Sequence, residues 1–347
     1  NKFYGSTAPG PYRKLAIVAK PEPDVFRVDG KESIETGCMS LNTCTSTNMS
    51  NVNDSTTVAC GSPSEVHVVC MTISHAVQLA TKIGSTLLVQ PSLYRFESTL
   101  YPRSLALQIK AEIETDTILV CSNGPCFASR NRWFPALVQG FNVVGSDAFS
   151  SEKGGCIQVE DVDTVVRIEN CVFSHCKSKK AGGALFFSNV AGVLVQNVTV
   201  RSSRSLDIGG GIAVVGYGFV DIVRSAILSN EASSGGGIAA LTAHVVIKHS
   251  TLGQNTARYR ADLKAFSAVE PHFHDGGGAF VKEGSLYLKD SRVLQNNATY
   301  RGGGIYVENG KITLISSSVM NNSITRGSSG TNPSGGGGGG VACESTT

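Results

Sequence analysis

From residue 154 onward the chain alternates apolar and polar positions in short runs, each entered through a pair of glycines. Ile157/Val159, Leu185/Phe187, Ile212/Val214, Ile238/Ala240, Ala279/Val281, Ile305/Val307 and Val341/Cys343 fall on one side of this alternation. Period two with one apolar side is the signature of a strand with one face buried. A second alternation follows at matching offsets: Val166/Ile168, Val193/Val195, Val220/Ile222, Val245/Ile247, Leu286/Leu288 and Ile312/Leu314. Next comes an apolar position (Phe173, Val200, Ile227, Leu252, Val293, Val319). Three residues beyond it lies a polar or thiol column of Cys176, Ser203, Asn230, Asn255, Asn296 and Asn322.

The glycine pairs begin at 154, 182, 209, 235, 276, 302 and 338, with spacings of 28, 27, 26, 41, 26 and 36. A phosphate-binding glycine loop is needed once, so seven copies point to architecture. Units this short cannot each enclose a core, but stacked as successive turns of a coil they bury like residues on like. The pattern therefore predicts an all-β parallel β-helix. Its glycines take the sharp corners, its asparagines bond up and down the stack, and the column Ser225, Ser250, Ser291 and Ser317 forms a small-residue corner. The longer spacings mark insertions near 256–275 and 323–337.

Ahead of the repeats, residues 73–94 predict a short capping helix followed by a strand, "STLLVQ", and a Pro-containing turn. Thr72 or Ser74 begins the helix, Ile73, Val77, Ala80 and Ile83 form its apolar face, and Gly84 stops it. Less regular rungs fill 85–153, with a strand at 140–145. Residues 1–71 read as an N-terminal arm and a disulfide-tied cap region, and 72–347 as the coil.

Composition narrows the setting. The 347 residues are 41% hydrophobic and 16% charged with a net charge of +3, and no apolar run is long enough to span a bilayer. Without a dense basic block, nucleic acid is not an expected partner. Ten cysteines are many for a reducing compartment. Cys38, Cys44, Cys60, Cys70, Cys121 and Cys126 sit in polar, turn-like surroundings that suit disulfides; Cys156, Cys171 and Cys176 share a rung and include a possible bridge. Cys343 takes the inward phase below Val307, the place of a core thiol. Asn-x-Ser/Thr occurs at Asn48, Asn53, Asn197, Asn297 and Asn321. With the cysteines, these sequons predict an N-glycosylated protein of the secretory pathway, extracellular or at the cell surface. The start at Asn1 reads as a processed or partial product.

Candidate chemistry is sparse, and no cofactor is expected. Asp163, Asp221, Glu169 and Asp290 fall at different offsets and do not stack, so the paired carboxylates of glycoside chemistry are not evident. The column Asn170, Asn197, Arg224, His249, Asp290, Ser316 reads as a mixed polar surface. In the insertion, His272, His274 and Asp275 are weighed as a metal group against a solvated loop turn. Tyr259, Phe266 and Phe273 make the same insertion a contact loop for protein or glycan.

The units "VFSHC…AGGALFF", "ILSNEASSGGGIAAL" and "VLQNNATYRGGGIYV" resemble the repeat of the polymorphic outer-membrane proteins. The helical entry is similar to that of the pectin-lyase-like group of right-handed β-helices. These resemblances cover roughly residues 72–347 and imply a right-handed coil in a surface-exposed or secreted protein: adhesin, passenger domain, polysaccharide-degrading enzyme or coat. The last unit begins a rung with no capping helix after it, and an open sheet edge invites another copy or further residues. The expectation is a non-enzymatic structural glycoprotein of a surface fibre, hair or coat, self-associating or bound to neighbouring extracellular proteins. The alternatives are an adhesin or glycan-binding module and, after it, a polysaccharide lyase or hydrolase.

Overall fold

A computed structural model describes residues 72–345 apart from 81–82, 103–105, 115, 130–131, 147, 259–274 and 326–338, and five strand backbones before residue 72. The chain is an all-β parallel solenoid whose strands form sheets of 17, 10 and 7 members running along the stack. A full rung crosses four short strands. In the one opening at Gly235 these are Ile238–Leu241, His244–Lys248, Thr251–Gly253 and Thr256–Ala257. The largest sheet is two faces merged, because Leu185–Gln196 and Ile212–Val223 run unbroken through the corner that divides those faces elsewhere.

Register is kept rung upon rung. Ile212 pairs with Ile238, Ile238 with Ala279 and Ala279 with Ile305, across the 41-residue spacing as well as the short ones. The inward columns merge into one continuous apolar core. Burial of like on like is what allows 26-residue units to share it.

Each corner is made by a residue in the left-handed region. In the rung of Gly209 the four are Gly209, Gly216, Arg224 and Ser229; in the next they are Gly235, Thr242, His249 and Gln254. Gly209 has φ +62°, and a Cβ there would meet the Ile212 carbonyl oxygen at 2.4 Å; one on Gly210 would meet the Gly236 oxygen at 2.3 Å. Glycine is obligatory at both, the first for conformation and the second for the close approach of the rung above.

Helix α1 is Ile73–Leu79, with Ile73, Ala76, Val77 and Ala80 buried. It stops short of Ile83, which is 53% exposed in the turn at Gly84, φ +82°. The predicted fourth member of its apolar face thus lies outside the helix. Parallel pairing begins before residue 72: Val25–Val28 pairs with Thr86–Val89, and Ser33–Glu35 with Leu93–Phe96. At the other end coverage thins. Leu314 is 41% exposed and Cys343, below Val307 as expected, is exposed instead of enclosed, because no further rung lies over it among the described residues.

Candidate functional site

The asparagine column is a buried, directional ladder. Each backbone N–H and side-chain Nδ2 donates to the Oδ1 of the asparagine one rung on: 2.9 and 3.1 Å for Asn230 to Asn255, 2.9 and 3.0 Å for Asn255 to Asn296, 2.9 and 2.9 Å for Asn296 to Asn322. The same Nδ2 atoms also donate backward to the carbonyls of Val200, Ile227, Leu252 and Val293. The serine corner runs in parallel: the N–H groups of Ser225, Ser250 and Ser291 donate to the Oγ of the next serine at 3.0, 3.2 and 3.1 Å. Those hydroxyls in turn donate to carbonyls two residues back. The oxygens are engaged in holding corners together, as their buried setting requires.

One cluster of titratable groups was not visible in the sequence. Asp275, Arg301, Tyr306 and Glu344 come together on the outside of the glycine corner from three successive rungs. Arg301 donates to Asp275 Oδ2 through Nε at 3.0 Å and lies at 2.8 Å through Nη2, while its Nη1 pairs with Glu344. The guanidinium stacks over the Tyr306 ring at 4.3 Å, Tyr306 stacks on Phe280 at 5.9 Å, and the Tyr306 hydroxyl donates to Glu344. Asp275 is fully buried and its Oδ1 has no hydrogen-bond partner among the described residues. Burial pushes its carboxyl up to about 6, against the opposing pull of Arg301. Burial and the bond to Glu344 likewise raise the Tyr306 hydroxyl, and that bond, with the Arg301 charge, lowers Glu344.

A raised acid beside a second carboxylate is an acid–base arrangement in principle. Here Asp275 is sealed, Tyr306 is 1% exposed and solvent reaches the cluster mainly at the Glu344 side chain, 51% exposed against 15% for Arg301. In this arrangement a substrate cannot touch Asp275, and the cluster acts as a tie between rungs. The Asp275 carboxylate proposed for a metal is committed to a guanidinium; His272 and His274 lie outside the described residues, as do Tyr259, Phe266 and Phe273. The other acids each face a base: Asp163 pairs with Arg132 at 2.9 Å, Glu169 with Arg167 at 2.5 Å and Asp221 with Lys248 at 3.5 Å. His249 lies 3.9 Å from Asp290 on the exposed surface.

Cys121 is bonded to Cys126 and Cys156 to Cys176. Cys171, expected among the disulfide candidates, is instead a free thiol, buried and directed at the carbonyl of Glu169 at 3.1 Å; burial pushes it up to about 12. Its partner candidates on the rung are used up by each other. The side chains of Cys38, Cys44, Cys60 and Cys70, and both Asn48 and Asn53, lie outside the described residues. Asn197 and Asn321 are exposed corner residues with φ +53° and +56°. Asn297 is half-buried in a strand, its Oδ1 accepting from Ser323 at 3.2 Å and Thr325 at 2.9 Å.

The mixed column from Asn170 to Ser316 proves to be a corner: all six residues have φ between +47° and +53°. Asparagine, aspartate and histidine hint at such a conformation; Arg224 and Ser316 do not, which is why the sequence concealed it. No family model, curated protein or solved structure matches the chain.

Proposed function

We propose that the chain is a non-enzymatic, disulfide-stabilised extracellular glycoprotein that serves as a building block of a surface fibre, hair or coat, packing end to end. The observation that carries this reading is the use of its buried polar groups. Asparagines, serines and the Asp275–Arg301 pair are spent on joining one rung to the next, which makes a stiff rod and leaves the described interior without a reactive group open to solvent. Two disulfides, with Asn197 and Asn321 exposed, support an oxidising, glycan-adding route. The resemblance to the repeats of polymorphic outer-membrane proteins, a surface-exposed group, belongs to the same proposal.

Negative-stain imaging with sedimentation tests it. Purified chain at micromolar concentration is expected to join into rods longer than one solenoid. Dispersed single particles under all conditions contradict end-to-end packing, and release of reducing or unsaturated sugar from polysaccharides contradicts the non-enzymatic reading.

A further inference from the structure

Four of the exposed large apolar side chains lie toward one corner of the coil, on three of four successive rungs, with Gly192 on the remaining one. Trp133 is 38% exposed, Val165 59%, Phe219 47% and Tyr217 87%. Val165 pairs with Gly192, and Val193↔Val220 sets Phe219 at the level beyond it; Arg132, beside Trp133, reaches Asp163 one rung up at 2.9 Å. At the usual strand spacing the row extends over three steps, ~14 Å.

Gly192 sits in the middle of this row, and the fold does not require a glycine there. Its φ is not positive, and an added Cβ would meet only Val165 Cγ2, at 3.6 Å, an ordinary contact. The glycine pairs that open the rungs from Gly154 to Gly302, by contrast, would collide with backbone at 2.0–2.4 Å. The missing side chain opens a slot between Val165 and the Phe219–Tyr217 pair, floored by the sheet.

From this geometry we infer that the row is a binding platform for a neutral glycan chain lying along the coil axis. The ring faces carry negative quadrupolar charge and suit the C–H faces of pyranose rings. Around them stand hydroxyl partners, Asp161 bonded to Asn189 at 3.0 Å and Asp163 bonded to Arg132. Two carboxylates against that guanidinium leave a negative balance that disfavours uronic or sulfated chains. With ~200 Å² for a whole aromatic side chain, the exposed fractions total roughly 400 Å². That is about half of the ~800 Å² per partner of a stable protein interface, so a short run of sugars fits better than a second protein. The inference does not depend on end-to-end packing.

Isothermal titration calorimetry of the full chain tests it, with cellohexaose and mannohexaose as neutral probes and hexagalacturonate as the acidic comparator. The expected result is binding of a neutral hexasaccharide in preference to the acidic one. Tyr217→Ala, which removes a ring, and Gly192→Val, which fills the slot, should each weaken binding at least fivefold with unchanged far-UV circular dichroism. Asp290→Asn, on another corner, should leave binding unaltered. No binding of either neutral probe, equal or better binding of the acidic one, or a loss below fivefold in Tyr217→Ala overturns the inference. So does a change of oligomeric state, without any glycan binding, on that substitution.

Discussion

Asn255 is the middle of the buried ladder, and its removal gives a graded test of how the rungs are joined. Its Oδ1 accepts from the N–H of Asn230 at 2.9 Å and from Asn230 Nδ2 at 3.1 Å; its own Nδ2 donates to the Ile227 carbonyl at 2.9 Å. Asn255→Ala strands two buried donors and takes the amide from that carbonyl, while Asn296 Oδ1 keeps the backbone N–H of residue 255. At about 1–3 kcal/mol for each orphaned buried group, the expected loss is ~3–5 kcal/mol. Asn255→Asp should cost at least as much, because an oxygen would then face the Ile227 carbonyl and Asn296 Oδ1. Denaturant unfolding followed by circular dichroism measures both. Coupling is expected as well: after Asn230→Ala, the further change at Asn255 should cost markedly less than alone, since one of its donors is gone. A loss under 1 kcal/mol in Asn255→Ala, or full additivity of the pair, would refute the ladder as the joint between rungs.

Three further outcomes follow from particular side chains. Asp275 has its carboxyl raised from 3.8 to about 6, so its ionised form burdens the fold above that pH and the burden lifts as pH falls toward 4. The melting temperature of the native chain should therefore rise relative to that of Asp275→Asn between pH 7.5 and 4; a slope of opposite sign rejects the assignment. Arg224→Gly relieves a left-handed corner, φ +48°, and should stabilise the chain by about 1 kcal/mol in the same unfolding assay. A destabilised variant would show that the Arg224 side chain contributes more than its backbone costs. Of the two free thiols among the described residues, exposed Cys343 should react with iodoacetamide in the folded protein while buried Cys171 does not, as read by peptide mass spectrometry.

The coil was legible in the sequence because its core repeats. Ile212, Ile238 and Ile305 recur at fixed offsets from glycine pairs whose conformation only glycine takes without strain, and each column copies the one below. The same logic exposed the asparagine ladder. What stayed hidden lacks repetition. Asp275, Arg301 and Glu344 occupy neighbouring levels but differ in charge, so no column marks them, and two insertions disturb their spacing. The corner from Asn170 to Ser316 is hidden for another reason: backbone pairing above and below imposes the left-handed turn on Arg224 and Ser316, which have no preference for it. Cys171 and Cys343 misled because phase alone says which way a side chain points, not what lies over it or which thiol is nearest. The platform at Tyr217 escaped notice since an exposed aromatic and an inward one look alike in a run such as Gly216-Tyr217-Gly218-Phe219.

The stacking itself is tested most directly by pulsed electron paramagnetic resonance on nitroxide pairs set along one sheet, in a Cys343→Ser background. The register Val172↔Thr199↔Ala226↔Thr251↔Arg292↔Ser318 places residues 172 and 318 five levels apart, and 199 and 318 four. Labels at those pairs should lie ~24 and ~19 Å apart, one strand spacing per level, with the 41-residue step from Thr251 to Arg292 counting as one level like the rest. Separations that follow residue number instead of level, or broad distributions beyond 40 Å, would contradict the solenoid on which everything else is built.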